Sequence, residues 1–476
     1  MAEIERHDLQ IERDDIQGLL ASGYGHLPCA RYLLVRFPDD PAAARRWLGR
    51  LASEVTTAAK KEEVCSINVA LTYRGLERIG LARSALATFP RAFREGIATE
   101  HRSRILGDRG DSDPAIWQWG GKDDIDVLLL VFAADELTLA RELERRRREI
   151  AESRAFEVKE LRAERQPDNH EHFGFADGLS QPEIEGLATS TSTNGSPRLK
   201  TGEFILGFAD ESGFRADGPT VELADDPMLR LRAAPSRPAR LRDLGRNGTY
   251  LVFRQLSQQV AAFWKFLDDV TRHADGSADA AARDRLAAKL VGRWKSGAPV
   301  VKSPERDDES LQQDNEFGYR ATDARGLACP IGAHIRRANP RDSLGPDAES
   351  GLRSANRHRL LRRGRMYGAR IADPLIEDGV ERGLHFICLN SDLERQFEFV
   401  QQTWIGSPVF GGLTGEVDPL VGHTGKGDGF VSIPAEPFRL RVHGLRRFVT
   451  VRGGEYFFLP AIRALEYLAT LVSPAS

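Results

Sequence analysis

Asp126–Arg147, DVLLLVFAADELTLARELERRR, can be laid beside Gly383–Trp404, GLHFICLNSDLERQFEFVQQTW, without a gap. Each stretch opens on about six residues that read as a buried strand, passes an acidic helix start and continues as a helix of about four turns. A strand-then-helix unit that occurs once in each half of the chain points to a weak internal duplication and to two similar α+β halves. The order recurs further out. ARYLLVRFPDD gives a strand over Tyr32 to Phe37, with the helical spacing of PAAARRWLGRLASEV behind it. SINVALTYRGLERIGL gives a strand over Ile67 to Leu71 and a short helix that Gly80 interrupts, and GTYLVFRQLSQQVAAFWKFLDDV (Gly248 to Val270) restarts the pattern. Such short alternating units predict antiparallel sheets with helices on one face, although a parallel doubly wound sheet has the same periodicity.

Length and composition bound the rest. At 476 residues the chain is expected to form about two to four domains, and two fits the duplication. The segment from Gly186 to Pro238 is rich in Ser, Thr, Gly, Pro and acidic residues, with Thr189 to Pro197 almost wholly loop. The boundary is expected at its end, giving domains 1–238 and 239–476. Lys and Arg number 67 against 70 Asp and Glu, so the molecule lacks the positive field that would hold a duplex or an anionic membrane. Arg145 to Arg148, within the helix from Glu136 to Ile150, reads as a solvated face paired with neighbouring glutamates. The longest apolar stretch, Val127 to Ala134, is too short for a bilayer, and MAEIERHDLQIERDD is charged where a signal peptide is apolar. Cys29, Cys65, Cys329 and Cys388 lie far apart with no CxxC pair, which disfavours zinc and a disulfide framework and fits a reducing cytoplasm.

Three segments hold more functional side chains than a core needs: NHEHFGFADGLSQP (Asn169 to Pro182), CPIGAHIRRANPRD (Cys329 to Asp342) and HRLLRRGRMYG (His358 to Gly368). Taken singly, each has a plain structural explanation. Asp177 before Gly178 is a turn aspartate, His334 a structural hydrogen-bonder and Arg362 one surface arginine among many. GHTGKGDG (Gly422 to Gly429) fails as a phosphate loop, because Gly427 follows Lys426. His170 and His172 form an HxH pair with no second ligand pair at zinc spacing, so they read as structural, lining an access route at most.

Taken together, the three segments resemble the dye-decolourising (DyP-type) peroxidases, haem enzymes with a GxxDG motif and, much later, a haem-ligating histidine. Gly174 to Gly178 matches GxxDG, GAHIRRANPR (Gly332 to Arg341) is similar to the proximal-histidine segment, and RLLRRGRMYG to the strand with the distal arginine. LTYRGL, LGDRGDSDPAIWQWGG, FEFVQQTW, EVDPLVG and FVTVRGGEYFFLPA extend the resemblance over nearly the whole chain, and its length suits the longer bacterial members. Gly186 to Pro238 and Ala274 to Glu316 would be insertions.

The resemblance implies two ferredoxin-like α+β halves forming a dimeric α+β barrel, with haem b between them and bound chiefly by the second. It implies His334 as axial ligand to the iron, its other nitrogen held by a carboxylate. Asp418 of EVDPLVG is the candidate, with Asp392 of LNSDLERQ as competitor. Asp392 falls more naturally in a first helical turn, where Ser391 and Glu394 have the spacing of a capping box. Asp177 would shuttle the proton of hydrogen peroxide and Arg362 stabilise the departing oxygen. Among Arg336, Arg337 and Arg341, Arg341 of NPR is chosen for the haem propionates and the other two are read as solvent-facing. Tyr367, Trp404, Trp264 and Tyr456 read as core aromatics rather than electron relays.

The implied activity is peroxide reduction coupled to oxidation of dyes, phenols or similar reductants. A carboxylate as the distal base implies an optimum below neutral pH. A haem-binding or haem-delivery protein without fast turnover is the alternative, and it would have no use for the Asp177 and Arg362 pair. A chlorite-dismutase relative is disfavoured by GxxDG. Neither nucleic acid nor membrane is expected as a partner, and a homo-oligomer is compatible with the sequence.

Overall fold

Alternation along the strands decides the layers. In the computed structural model, which describes residues 11–121, 124–188, 194–235, 237–423 and 429–471, the first half consists of β1 (Cys29–Arg36), α1 (Pro41–Ala52), β2 (Cys65–Leu71), β3 (Val127–Ala133), α2 (Glu136–Glu152) and β4 (Phe156–Glu164). Tyr32 and Leu34 of β1 join Leu128, Leu130 and Phe132 of β3 on one face. Leu33, Val35, Leu129 and Val131 turn to the other face, against Trp47, Leu48 and Leu51 of α1 and Leu139, Leu143 and Ile150 of α2. Both faces are therefore buried, which is why these strands read as continuous apolar runs rather than alternating ones.

The second half repeats the plan with β5 (Thr249–Gln258), α3 (Val260–Thr271), α4 (Ala280–Val291), α5 (His334–Ala338), β6 (Arg365–Tyr367), β7 (Gly383–Asn390) and β8 (Val449–Leu459). Strand order is β4-β1-β3-β2 in the first half and β6-β7-β5-β8 in the second. Each is the order of a ferredoxin-like unit. The units join at two seams, where Met366 pairs with Glu164 and Phe458 with Leu71, so the sheet closes on itself. Every neighbouring pair around this ring is antiparallel, which removes the doubly wound alternative. Two short strands, Trp119–Gly120 and Leu361–Arg362, pair onto β8 and β7.

The duplicated stretches correspond residue for residue at their helix starts. Asp135 caps α2 by accepting from Thr138 N, and Asp392 caps the next helix by accepting from Arg395 N. The expected cap at Ser391 is thus displaced by one residue, since the Ser391 hydroxyl donates to Gly202 O instead. The second helix is also wider than the first: Leu393–Glu398 and Val400–Ile405 are π-helical, a form often found beside functional sites. The arginine run of α2 pairs with neighbouring glutamates as read, but Arg146 is fully buried rather than on a solvated face, a correction to the sequence reading. Arg145 and Arg146 pair with Glu142 and Glu149 three or four residues away, and Arg147 reaches Glu157. Among the described residues no helix is long and apolar enough to cross a membrane, and all four cysteines are free.

Candidate active site

GxxDG owes its glycines to backbone geometry. Gly174 and Gly178 have φ of 91° and 77°, a region where a side chain is strained, and they bracket the returning arm of a tight hairpin. Its base is closed by Asp177 N donating to Asn169 O and by Asn169 Nδ2 donating to Asp177 O at 2.6 Å. At its tip the half-buried Glu171 carboxylate accepts from Phe173 N, Phe175 N and Gln258 Nε2. Phe173 and Phe175 pack on α3 and α4, which fastens this first-half hairpin to the second half.

The hairpin, α5 and the Leu361–Arg362 strand line one cavity of ≈ 360 Å³, together with Leu256, Phe386, Phe397, Val400 and Ile405. His334 opens α5, and its ring is 31 % exposed while lining the cavity. Nδ1 lies 2.8 Å from Oδ2 of Asp418, a carboxylate with no exposure. The other oxygen of Asp418 accepts from Leu420 N and Val421 N, so the carboxylate is fixed on both sides. Burial by itself would lower the proton affinity of His334 and raise that of Asp418. Their mutual attraction outweighs burial and moves both the other way, toward a strongly polarised pair. His334 Nε2 has no protein partner among the described residues. Asp392, the competitor, is occupied as a helix cap.

Arg362 Nη1 lies 3.3 Å from Oδ1 of Asp177. The same oxygen accepts from Gly178 N at 2.6 Å, so Asp177 is at once a turn aspartate and the partner of Arg362. Oδ2 carries no hydrogen bond among the described residues, and Asp177 and Arg362 both line the cavity.

Arg341 also lines the cavity. It stacks over Phe317 with its carbon 3.7 Å from the ring centroid and donates to Asn315 O and Phe317 O. Arg336 and Arg337 are buried rather than solvent-facing, a correction to the sequence reading. Arg336 is held by Asp323 and the Cys329 carbonyl. Arg337 donates to the carbonyls of Trp404, Ser407 and Glu416, tying α5 to the π-helical segment and to the loop that carries Asp418.

The sequence reading overlooked Arg359. It donates to Ser180 O, lines the cavity and has no carboxylate in ion-pair contact among the described residues. Burial, then the cations of Arg341 and Arg362, push its guanidinium down to about 9, still charged at neutral pH. Nothing distinguishes Arg359 from its neighbours in HRLLRRGR, because its role comes from burial beside like charges. Glu171 was missed for the same reason. These residues fit haem: apolar walls suit a flat ring, His334 Nε2 suits an iron ligand, and Arg341 and Arg359, with no carboxylate in ion-pair contact among the described residues, suit carboxylate side arms.

The other residues singled out take structural places. Tyr367, Trp404, Trp264 and Tyr456 are buried. His170 Nε2 contacts Lys295 O and His172 Nε2 contacts Tyr367 O, and neither ring lines the cavity. Of GHTGKGDG, residues 424–428 lie outside the described residues.

No family model matches the chain. It is 32% identical to Peroxidase 2 of Mycetinis scorodonius, over 87% of this chain and 77% of that one. It is 31% identical to a dye-decolorizing peroxidase of Mycena epipterygia, over 98% and 88%. The similarity is thus not confined to bacterial members, although a multifunctional dye peroxidase of Amycolatopsis is 28% identical over 98% and 95%. The solved DyP-type peroxidase of Auricularia auricula-judae superposes with a TM-score of 0.77 and 26% identity, covering 97% of this chain and 100% of its own. An ancestral D-type dye-decolorizing peroxidase gives the same TM-score at 27% identity. With likeness in sequence and in architecture running nearly end to end, the chain belongs to the dye-decolorizing peroxidase family of haem peroxidases.

Proposed function

We propose that in this haem peroxidase His334 ligates the iron through Nε2, Asp177 and Arg362 act on hydrogen peroxide, and Arg341 with Arg359 binds the haem carboxylates. The observation that carries this reading is the meeting, in one cavity, of a carboxylate in contact with a permanent cation and a histidine whose far nitrogen is unpaired among the described residues. Haem, when bound, supplies the iron and the electrons that break the peroxide bond. Asp177 Oδ2, with no hydrogen bond to give up among the described residues, accepts the proton of one peroxide oxygen and returns it to the other. Arg362 balances the negative charge on the departing oxygen. His334 keeps its Nδ1 proton toward Asp418, which orients the ring and makes Nε2 a stronger donor.

The two electrons returned to the enzyme come from a reductant of the dye or phenol class. Four free thiols support a reducing cytoplasm. Asp177→Asn and Arg362→Leu are expected to keep haem, read from the Soret band, while kcat/KM for peroxide falls by about 10²- to 10⁴-fold. Peroxide-driven bleaching that survives both substitutions would overturn the assignment. The pH profile with a small dye should favour acid in the wild type and lose that bias in Asp177→Asn.

A further inference from the structure

Arg362 sits at an awkward place in the sheet. Leu361–Arg362 pairs with β7, and Arg363 N donates to Ile387 O, so the N–H of Arg362 faces away from β7. The strand then breaks at Gly364, where a Cβ would meet His385 O at 2.3 Å, and resumes as β6. Two residues of pairing are a weak hold on the backbone of a side chain that must be aimed within a fraction of an ångström.

The missing constraint comes from the segment that carries Asp177. Gln181 Oε1 accepts from Arg362 N at 3.0 Å. Between these positions each residue of the segment is tied down. Gly178 N is held by Asp177 Oδ1, Leu179 O accepts from Asn315 Nδ2 at 2.6 Å, and Ser180 O accepts from Arg359 Nη2 at 2.8 Å. Pro182 follows and restricts the backbone of Gln181. One anchored stretch of five residues thus presents the carboxylate at its start and grips the peptide of the arginine at its end.

We infer that Gln181 is a positioning residue for the peroxide reaction, setting the distance between Asp177 and Arg362 by holding the Arg362 peptide. This rests on the distal roles proposed for those two residues. Gln181→Met keeps size and removes the acceptor, whereas Gln181→Glu keeps an acceptor oxygen. In the haem-loaded enzyme, Gln181→Met is expected to lower kcat/KM for peroxide about ten- to a hundredfold while leaving KM for the dye unchanged. Fluoride affinity of the ferric protein, read from its absorption spectrum, reports on Arg362 without turnover and is expected to fall about tenfold. Gln181→Glu should recover most of both, and the thermal midpoint of the haem-free protein should stay near wild type.

A double-mutant cycle completes the test. If Arg362→Leu slows the enzyme and Gln181→Met adds nothing in that background, the two act as a unit, as inferred. If Gln181→Met keeps wild-type peroxide kcat/KM and fluoride affinity, or adds its full effect to Arg362→Leu, the inference fails while the distal reading stands. If Arg362→Leu is itself silent, the distal reading fails and takes the inference with it. The cycle uses ratios of rates per bound haem, so partial misfolding of a variant does not blur it.

Discussion

Asp177 and Asp418 solve the same problem with their two oxygens. Asp418 uses Oδ1 for its own turn and Oδ2 for His334 Nδ1, whereas Asp177 gives Oδ1 to both its turn and Arg362 and keeps Oδ2 free among the described residues. A carboxylate so divided cannot be swapped for an amide without loss, because an amide brings one acceptor and one donor. Asp418→Asn is expected to retain haem but cut peroxidase activity by about ten- to a hundredfold, whereas His334→Ala should abolish the Soret band. Comparing spectra and activity of the two variants checks both. This double use also explains what local sequence could and could not say. The turn predicted from Asp-Gly is present at Asp177, and Asp418 makes a turn of its own with Leu420 N and Val421 N, yet turn chemistry is silent on the second partner. Family resemblance, not spacing, pointed to His334 with Asp418 and to Asp177 with Arg362, pairs that the fold brings together. Arg359 and Glu171 stayed hidden because burial beside other charges leaves no mark in the chain.

Elements carry a pH dependence of their own. His385 on β7 and His172 in the hairpin each use Nε2 on a backbone carbonyl, Arg162 O and Tyr367 O, and each buries an unpartnered Nδ1. Burial pushes both rings from the ordinary 6.5 down to about 4. The unfolded chain then binds protons that the folded one refuses, so the stability they contribute is full above about 6.5 and is lost as pH falls toward 4. The thermal midpoint is expected to drop across that window. His385→Gln, which keeps a donor for Arg162 O, should flatten its share of the drop, and an unchanged profile would remove His385 as a cause. Acid therefore favours the proposed chemistry and weakens the scaffold. Strand and helix positions were legible because both sheet faces are apolar and aspartates cap α1 and α2. The π-helical register of Leu393–Ile405 was not, since its apolar spacing is also that of an ordinary helix.

Across the whole molecule, closure of the barrel depends on two narrow seams. At the one beside β6, paired among the described residues at Met366 and Glu164 alone, Arg365 is buried and donates to the carbonyls of Gly23, Tyr24, Leu27 and Pro28, with its guanidinium 4.6 Å from the Phe132 ring centroid. Arg363 does the same for Leu19 O and Leu20 O. Arg365→Met would remove the donor shared by these four carbonyls, of which those of Tyr24 and Leu27 are buried, and should cost roughly 2 to 4 kcal/mol in a denaturant titration. A loss under about 1 kcal/mol would show the seam to be held by apolar packing alone.

Arg359, Arg362, Arg363 and Arg365 leave one short run of chain in two directions, two toward the cavity and two across the seam. Fastening the halves and arming the site are thus duties of a single ribbon, and slack in one is inherited by the other. For anyone engineering this enzyme the two seams are unequal ground. The join at Phe458 and Leu71 can be reinforced without reference to catalysis, whereas any gain sought beside β6 is also a retuning of the catalyst.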